Sequence, residues 1–90
     1  MELNDTIELM QSEDYRERFK AEYHQTKIRY EKLKRYNNRI EAANRTTFCS
    51  VRVEEPPHDC PGDLLAEQQH AMGAYLHVLE VRAVIEGIEL

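Results

Sequence analysis

From Ser12 to Glu55 the chain contains neither glycine nor proline, and this uninterrupted run decides most of what ninety residues can fold into. Within it Tyr15, Phe19, Tyr23, Thr26, Tyr30, Leu33, Asn37 and Ile40 recur by threes and fours, the spacing of one helix face. The pattern predicts a helix over about 13–44, roughly 45 Å long at 1.5 Å per residue. Ser12 offers a capping hydroxyl, and Glu13 and Asp14 suit the positive end of the helix dipole. Ahead of it, Asp5 as a cap, Glu8 three residues later and the apolar Ile7, Leu9 and Met10 predict a short helix over about 5–11.

Thr46 to Asp59 breaks the pattern. Thr47, Cys49, Val51 and Val53 alternate with Phe48, Ser50 and Arg52, which suits a short strand or an extended linker, and Pro56 and Pro57 exclude helix. After this connecting segment, 45–61, a further helix is expected over about 62–86. Pro61 is tolerated at its first turn, and Gly87 is placed to cap its end. Its apolar residues exceed one stripe: Leu64, Leu65, Met72, Tyr75, Leu76, Leu79 and Ala83 are joined by Ala71, Val78, Val81, Val84 and Ile85. The long helix, rich in Tyr and interrupted by Thr26 and Asn37, cannot cover two apolar faces. The expectation is one all-α domain over residues 1–90: an antiparallel helical hairpin with a short N-terminal helix, oligomerising through the last helix. Ala71, Gly73 and Ala74 would permit close approach there.

The net charge of −5 conceals a division along the chain. Residues 16–45 carry ten Lys/Arg against four acids, a balance of +6, and the remaining sixty residues balance to −11. A basic element inside an acidic protein meets an anionic ligand, an acidic partner or its own acidic half. Long duplex nucleic acid is disfavoured, because the net field repels phosphates and the patch is short. No stretch approaches the roughly 20 apolar residues of a membrane span, and Met1 to Gln11 lacks the basic and apolar regions of a secretory signal.

Chemistry has few footholds. There is no glycine-rich phosphate loop, no His-Glu-x-x-His and no nucleophile with a base at recognisable spacing, so no catalytic residue is assigned and no enzyme is expected. Cys49 and Cys60 read as free thiols. With His58 they would supply three zinc ligands, but the spacing matches no familiar four-ligand pattern, so neither metal nor cofactor is assigned.

The informative stretch is Lys27 to Tyr36, with five cations and two tyrosines in ten positions. Tyr23, Lys27, Tyr30 and Lys34 fall at i, i+4, i+7 and i+11, so one face alternates aromatic rings with cations. Tyrosines stack on bases while Lys and Arg neutralise phosphates, and the forked donors of Arg35 and Arg39 suit bidentate phosphate contacts. The candidate ligand-binding set is therefore Tyr23, Lys27, Tyr30, Lys34, Arg35 and Arg39, for a small anionic nucleotide. The plainer alternative makes the tyrosines core-edge residues with lysine stems lying beside them. His70 and His77, seven apart on the last helix, fit solvated interface positions or an anion. Asn37 and Asn38 read a base or simply loosen the helix.

Two stretches carry a family resemblance: Asp14-Tyr-Arg-Glu-Arg-Phe-Lys-Ala-Glu-Tyr with Lys-Ile-Arg-Tyr-Glu-Lys-Leu, and Asp63-Leu-Leu-Ala-Glu-Gln-Gln-His-Ala-Met-Gly-Ala-Tyr-Leu-His-Val-Leu-Glu ending Glu-Gly-Ile-Glu-Leu. They resemble a family of small phage and prophage proteins named after a gut crAss-like phage gene product. The segment from Thr46 to Cys60 departs from it. The resemblance implies a phage accessory protein in the host bacterial cytoplasm. In architecture the hairpin is also similar to phage anti-defence sponges, which sequester cyclic nucleotide or cyclic ADP-ribose immune signals as oligomers. The function expected is sequestration of such a signal. The alternatives are an adaptor whose basic helix docks on an acidic host protein, and a structural component of phage assembly.

Overall fold

In a computed structural model describing residues 1–90, the chain is all-helical. A 3-10 turn, Leu3–Thr6, runs into the short α1, Ile7–Gln11. The long α2 spans Tyr15–Arg45 and α3 spans Gly62–Glu86. The entry cap lies earlier than the sequence suggests: Glu2 and Asp5 form the reciprocal box, not Asp5 and Glu8. The Glu2 amide donates to Asp5 Oδ2 at 2.8 Å. Asp14, not Ser12, caps α2, its Oδ1 accepting from the Arg16 amide at 2.9 Å, and Ser12 Oγ holds the Asp14 amide in turn. α3 starts directly after Pro61 and ends where Gly87 takes the left-handed conformation at φ 69°. The Ile88 amide then bonds back to the Ala83 carbonyl and tucks Ile88 into the core.

α2 and α3 pack side by side as the antiparallel hairpin. Near the free end, Phe19 and Tyr23 of α2 meet Leu76, Leu79, Ala83 and Ile88, with Tyr30 packed against the cluster. Tyr15 reaches Glu86 and Arg82 there, and the Arg82 guanidinium lies over the Phe19 ring, 5.0 Å from its centroid. Toward the connection Ile40 contacts Gly62, and the two helices are otherwise joined by polar side chains. α1 lies on a different side of α2 from α3. Gln25 donates to Thr6 Oγ1 at 2.9 Å, and Ala21, 1% exposed, lets α1 approach closely.

The connecting segment forms no strand. Thr46 and Thr47 turn the chain off α2 by bonding back to the carbonyls of Ala42, Ala43 and Asn44. An isolated edge of four alternating residues has no partner strand to complete a ladder. Phe48 is left fully exposed. Cys49 and Cys60 are exposed free thiols, and no three His, Cys, Asp or Glu side chains converge as a metal-ligand set. Both His58 ring nitrogens are already engaged, Nδ1 with the Cys60 carbonyl at 2.6 Å and Nε2 with Glu55 at 3.0 Å. The Glu55 bond, then the Cys60 carbonyl, hold the His58 pKa above its ordinary value. No helix is long and apolar enough to cross a membrane.

Candidate functional site

The cations of α2 remain unpaired by the acidic remainder of the chain. Of the ten Lys/Arg between residues 16 and 45, only Arg45 sits in an ion pair, with Glu41 one turn away at 3.5 Å. The other two pairs, His58–Glu55 and Arg82–Glu86, lie elsewhere. Of the three fates open to a basic element in an acidic protein, neutralisation by its own acidic half is therefore not realised within the chain.

Two grooves open between α2 and α3. The smaller, about 210 Å³, is lined by Tyr23, Lys27, Tyr30, Glu31, Gly73, Leu76 and Glu80. Gly73 exists for Tyr30: a methyl group there would stand 3.2 Å from the ring's Cε1. Gly73 thus serves the contact inside the hairpin, where the sequence suggested contact between chains. Tyr23 is a core residue, 5% exposed, whose hydroxyl donates to Glu80 at 2.6 Å. Its ring is committed to packing, with the Lys27 ammonium 5.9 Å from the centroid. Tyr30 is half-buried and keeps one edge on the groove.

Burial first, then the hydrogen bond to Glu80 and the charges of Glu80 and Glu31, push the Tyr23 phenol up to about 12 from its ordinary 10.0. Because the folded state holds this proton more tightly, the contribution is complete below pH 10 and is lost as pH rises through 12. Two pK units correspond to roughly 2–3 kcal/mol. Urea unfolding between pH 9 and pH 12 should show this loss, and Tyr23→Phe should remove that part of the alkaline slope. An unchanged slope in Tyr23→Phe would detach the proton from the hairpin's stability.

The larger groove, about 760 Å³, lies at the connected end, and most of its lining is polar. Asn37, Asn38, Glu41, Asn44 and Arg45 come from α2, and Asp63, Gln69 and His70 from α3, so the carboxylates of Glu41 and Asp63 share the groove with its amides. Asn37 ties the helices together, its Nδ2 donating to the Leu65 carbonyl at 3.1 Å and to Gln69 Oε1 at 2.9 Å. Those two acceptors fix the amide's orientation and leave Asn37 Oδ1 shielded from solvent without a donor. Asn44 and Arg45, from the end of α2, meet Gly62 and Asp63 only because the hairpin closes here. That juxtaposition has no local signal in the sequence.

The two grooves share one side of the hairpin. Lys27, Glu31, Lys34, Asn38, Glu41 and Arg45 fall within about 80° of arc on α2, so Lys34, exposed, stands between the two. Arg35 and Arg39 are also exposed but project about 80° and 120° further round than Lys27. Of the six residues singled out from sequence, the fold gathers Tyr23, Lys27, Tyr30 and Lys34 along one groove side and sets Arg35 and Arg39 apart. Near Lys27, burial and the positive charges of Lys27, the N-terminus and Lys20 hold His24 below its ordinary value.

A family model described as Sequestin matches residues 13–85. The chain belongs to the Sequestin family. The match takes in the hairpin with its connection and both grooves, and stops short of the 3-10 turn and α1. No curated protein and no solved structure matches the chain.

Proposed function

We propose that this chain binds and sequesters a small nucleotide-derived immune signal, of the cyclic oligonucleotide or cyclic ADP-ribose class, without transforming it. Its setting would be the host bacterial cytoplasm, where it acts as a phage anti-defence protein. The observation that carries this reading is the amide-lined groove of about 760 Å³ with unpaired Lys34 and Lys27 leading away from it. The volume falls in the range of about 300–1,000 Å³ typical of small-molecule sites. Side-chain amides offer the paired donor and acceptor that base edges require, Lys27 and Lys34 complement phosphates, and the edge of Tyr30 adds an aromatic contact. The family name, Sequestin, is compatible with sequestration.

Native mass spectrometry of the protein with a pool of cyclic di- and trinucleotides and cyclic ADP-ribose isomers tests this. The expected result is a complex heavier by whole-number ligand masses, with ligand recovered unchanged on denaturation. Retention of no member of the pool would overturn the reading.

A second reading has its own observation. Lys32, Arg35 and Arg39 are exposed on the side of α2 away from α3, and none has an acidic partner. An acidic host protein docked on that ridge would make the chain an adaptor. Arg35→Glu with Arg39→Glu would abolish such docking while leaving nucleotide retention intact.

A further inference from the structure

The hydrogen-bonding sense of the larger groove is fixed from behind. The Leu65 carbonyl can only accept, so Asn37 must turn its Nδ2 toward it, at 3.1 Å. The other hydrogen of that nitrogen goes to Gln69 Oε1 at 2.9 Å. Gln69 is fixed in its turn: its oxygen faces Asn37, and its Nε2 is left for the groove that Gln69 lines. No protein group accepts from Gln69 Nε2. Asn37 Oδ1 is the only partnerless side-chain polar atom sealed from solvent, so Gln69 Nε2 is open to a ligand. An amide that flips freely serves as donor or acceptor alike. This one, ordered by a backbone carbonyl at one remove, presents only N–H.

The charges of the groove decide what kind of acceptor that donor meets. Glu41 and Asp63 bring two carboxylates, and the one guanidinium, Arg45, is already held by Glu41 at 3.5 Å. Protonation of His70, the remaining ionisable group of the lining, would bring the sum only to zero. A phosphate in the groove would therefore meet no net positive charge. Lys34 and Lys27, exposed and unpaired, lie just outside it along α2. Ile40 and Ala66 add apolar surface against which a planar ring can lie.

We propose that the larger groove takes the neutral base of the ligand, and that Gln69 Nε2 donates to a ring nitrogen or carbonyl oxygen on its edge. The phosphates stay outside, along Lys34 and Lys27. Asn37 is the positioning residue: with both hydrogens of its amide spent on Leu65 and Gln69 and its oxygen sealed off, it reads no base itself and instead points Gln69 outward. This rests on the nucleotide reading above, and adds which end of the ligand lies where and in which sense the hydrogen bond runs.

The side-chain amide signals of the nitrogen-15-labelled protein test this, with the four ribonucleosides as one set of probes and inorganic pyrophosphate as the other. At least one nucleoside should move the Gln69 signal, and pyrophosphate should leave it in place. Movement by pyrophosphate, or by no nucleoside, would overturn the placement. If the chain still retains a member of the nucleotide pool, the placement falls alone; if it retains none, the nucleotide reading falls with it. Asn37→Asp removes the donor that orders Gln69. The new carboxylate should draw Gln69 Nε2 inward, slow the exchange of its hydrogens with water and abolish the nucleoside shift. Gln69→Glu still accepts from Asn37, so helical circular dichroism should be retained, but it turns an oxygen toward the groove. The nucleoside dissociation constant, followed on the Asn38 and Asn44 amides, should rise by about tenfold or more. Undiminished binding in Gln69→Glu would overturn the donor's role whether or not Asn37→Asp folds.

Discussion

Leu79→Ala is expected to destabilise the hairpin by about 3 kcal/mol. Leu79 is 1% exposed and belongs to the six-residue core with Phe19, Tyr23, Leu76, Ala83 and Ile88. Removing its isobutyl group forfeits transfer energy and leaves a cavity that two rigid helices cannot collapse around. In so small a domain each kcal/mol moves the melting midpoint by about 4–8 °C, so the shift should exceed roughly 10 °C at fixed protein concentration. Val84→Ala is the control: Val84 is 82% exposed and outside the buried core, and its truncation should change stability by less than about 0.5 kcal/mol. Thermal unfolding followed by circular dichroism measures both. Equal shifts for the two variants would mean that the core does not lie where α2 and α3 meet.

The contrast between those neighbouring positions bears on what the sequence can reveal. The helices themselves are written locally. A long stretch without glycine or proline predicts α2 to within two residues at its start, and Pro61 and Gly87 bracket α3. Caps are less legible because several oxygens compete. Ser12 looks suitable from the sequence, and only the path of the chain decides that Asp14 takes the Arg16 amide. The excess of apolar residues on α3 is visible as composition, and the structure divides it into buried Leu76, Leu79 and Ala83 and exposed Val78, Val81, Val84 and Ile85. What local pattern cannot supply is the register between helices. Tyr23 finds Glu80 across 57 residues, and Tyr30 meets Gly73, so the aromatic residues that look like stacking plates become partly structural. The amide-lined groove depends on the same register, which explains why Asn44, Arg45 and Gln69 carried no signal of their own. The separation of Arg35 and Arg39 from Lys27 was available from 100° per residue. Counting cations within a window of sequence conceals it.

That separation sets up the largest expected effect on function. If phosphates are held along the groove side, Lys27→Glu combined with Lys34→Glu should lower affinity for the retained nucleotide by 100-fold or more. Each substitution removes a charge-assisted contact worth about 1.5–3 kcal/mol and adds a like charge beside the anion. Neither lysine is buried or ion-paired, so helical content and chain association should be unchanged. Arg35→Glu with Arg39→Glu alters net charge by the same amount on a different side of α2. A general attraction between the basic helix and an anion would weaken about equally in both pairs, and the weakening would fade as salt screens it. A localised site would be lost only in the lysine pair. Isothermal titration of the two double variants at low and physiological salt separates the cases. Equal losses in both pairs would reduce the groove to a bystander of diffuse electrostatics. Loss confined to Lys27 and Lys34, with Asn44→Ala and Gln69→Ala weakening binding further, would make the amide groove and its lysine approach a single site.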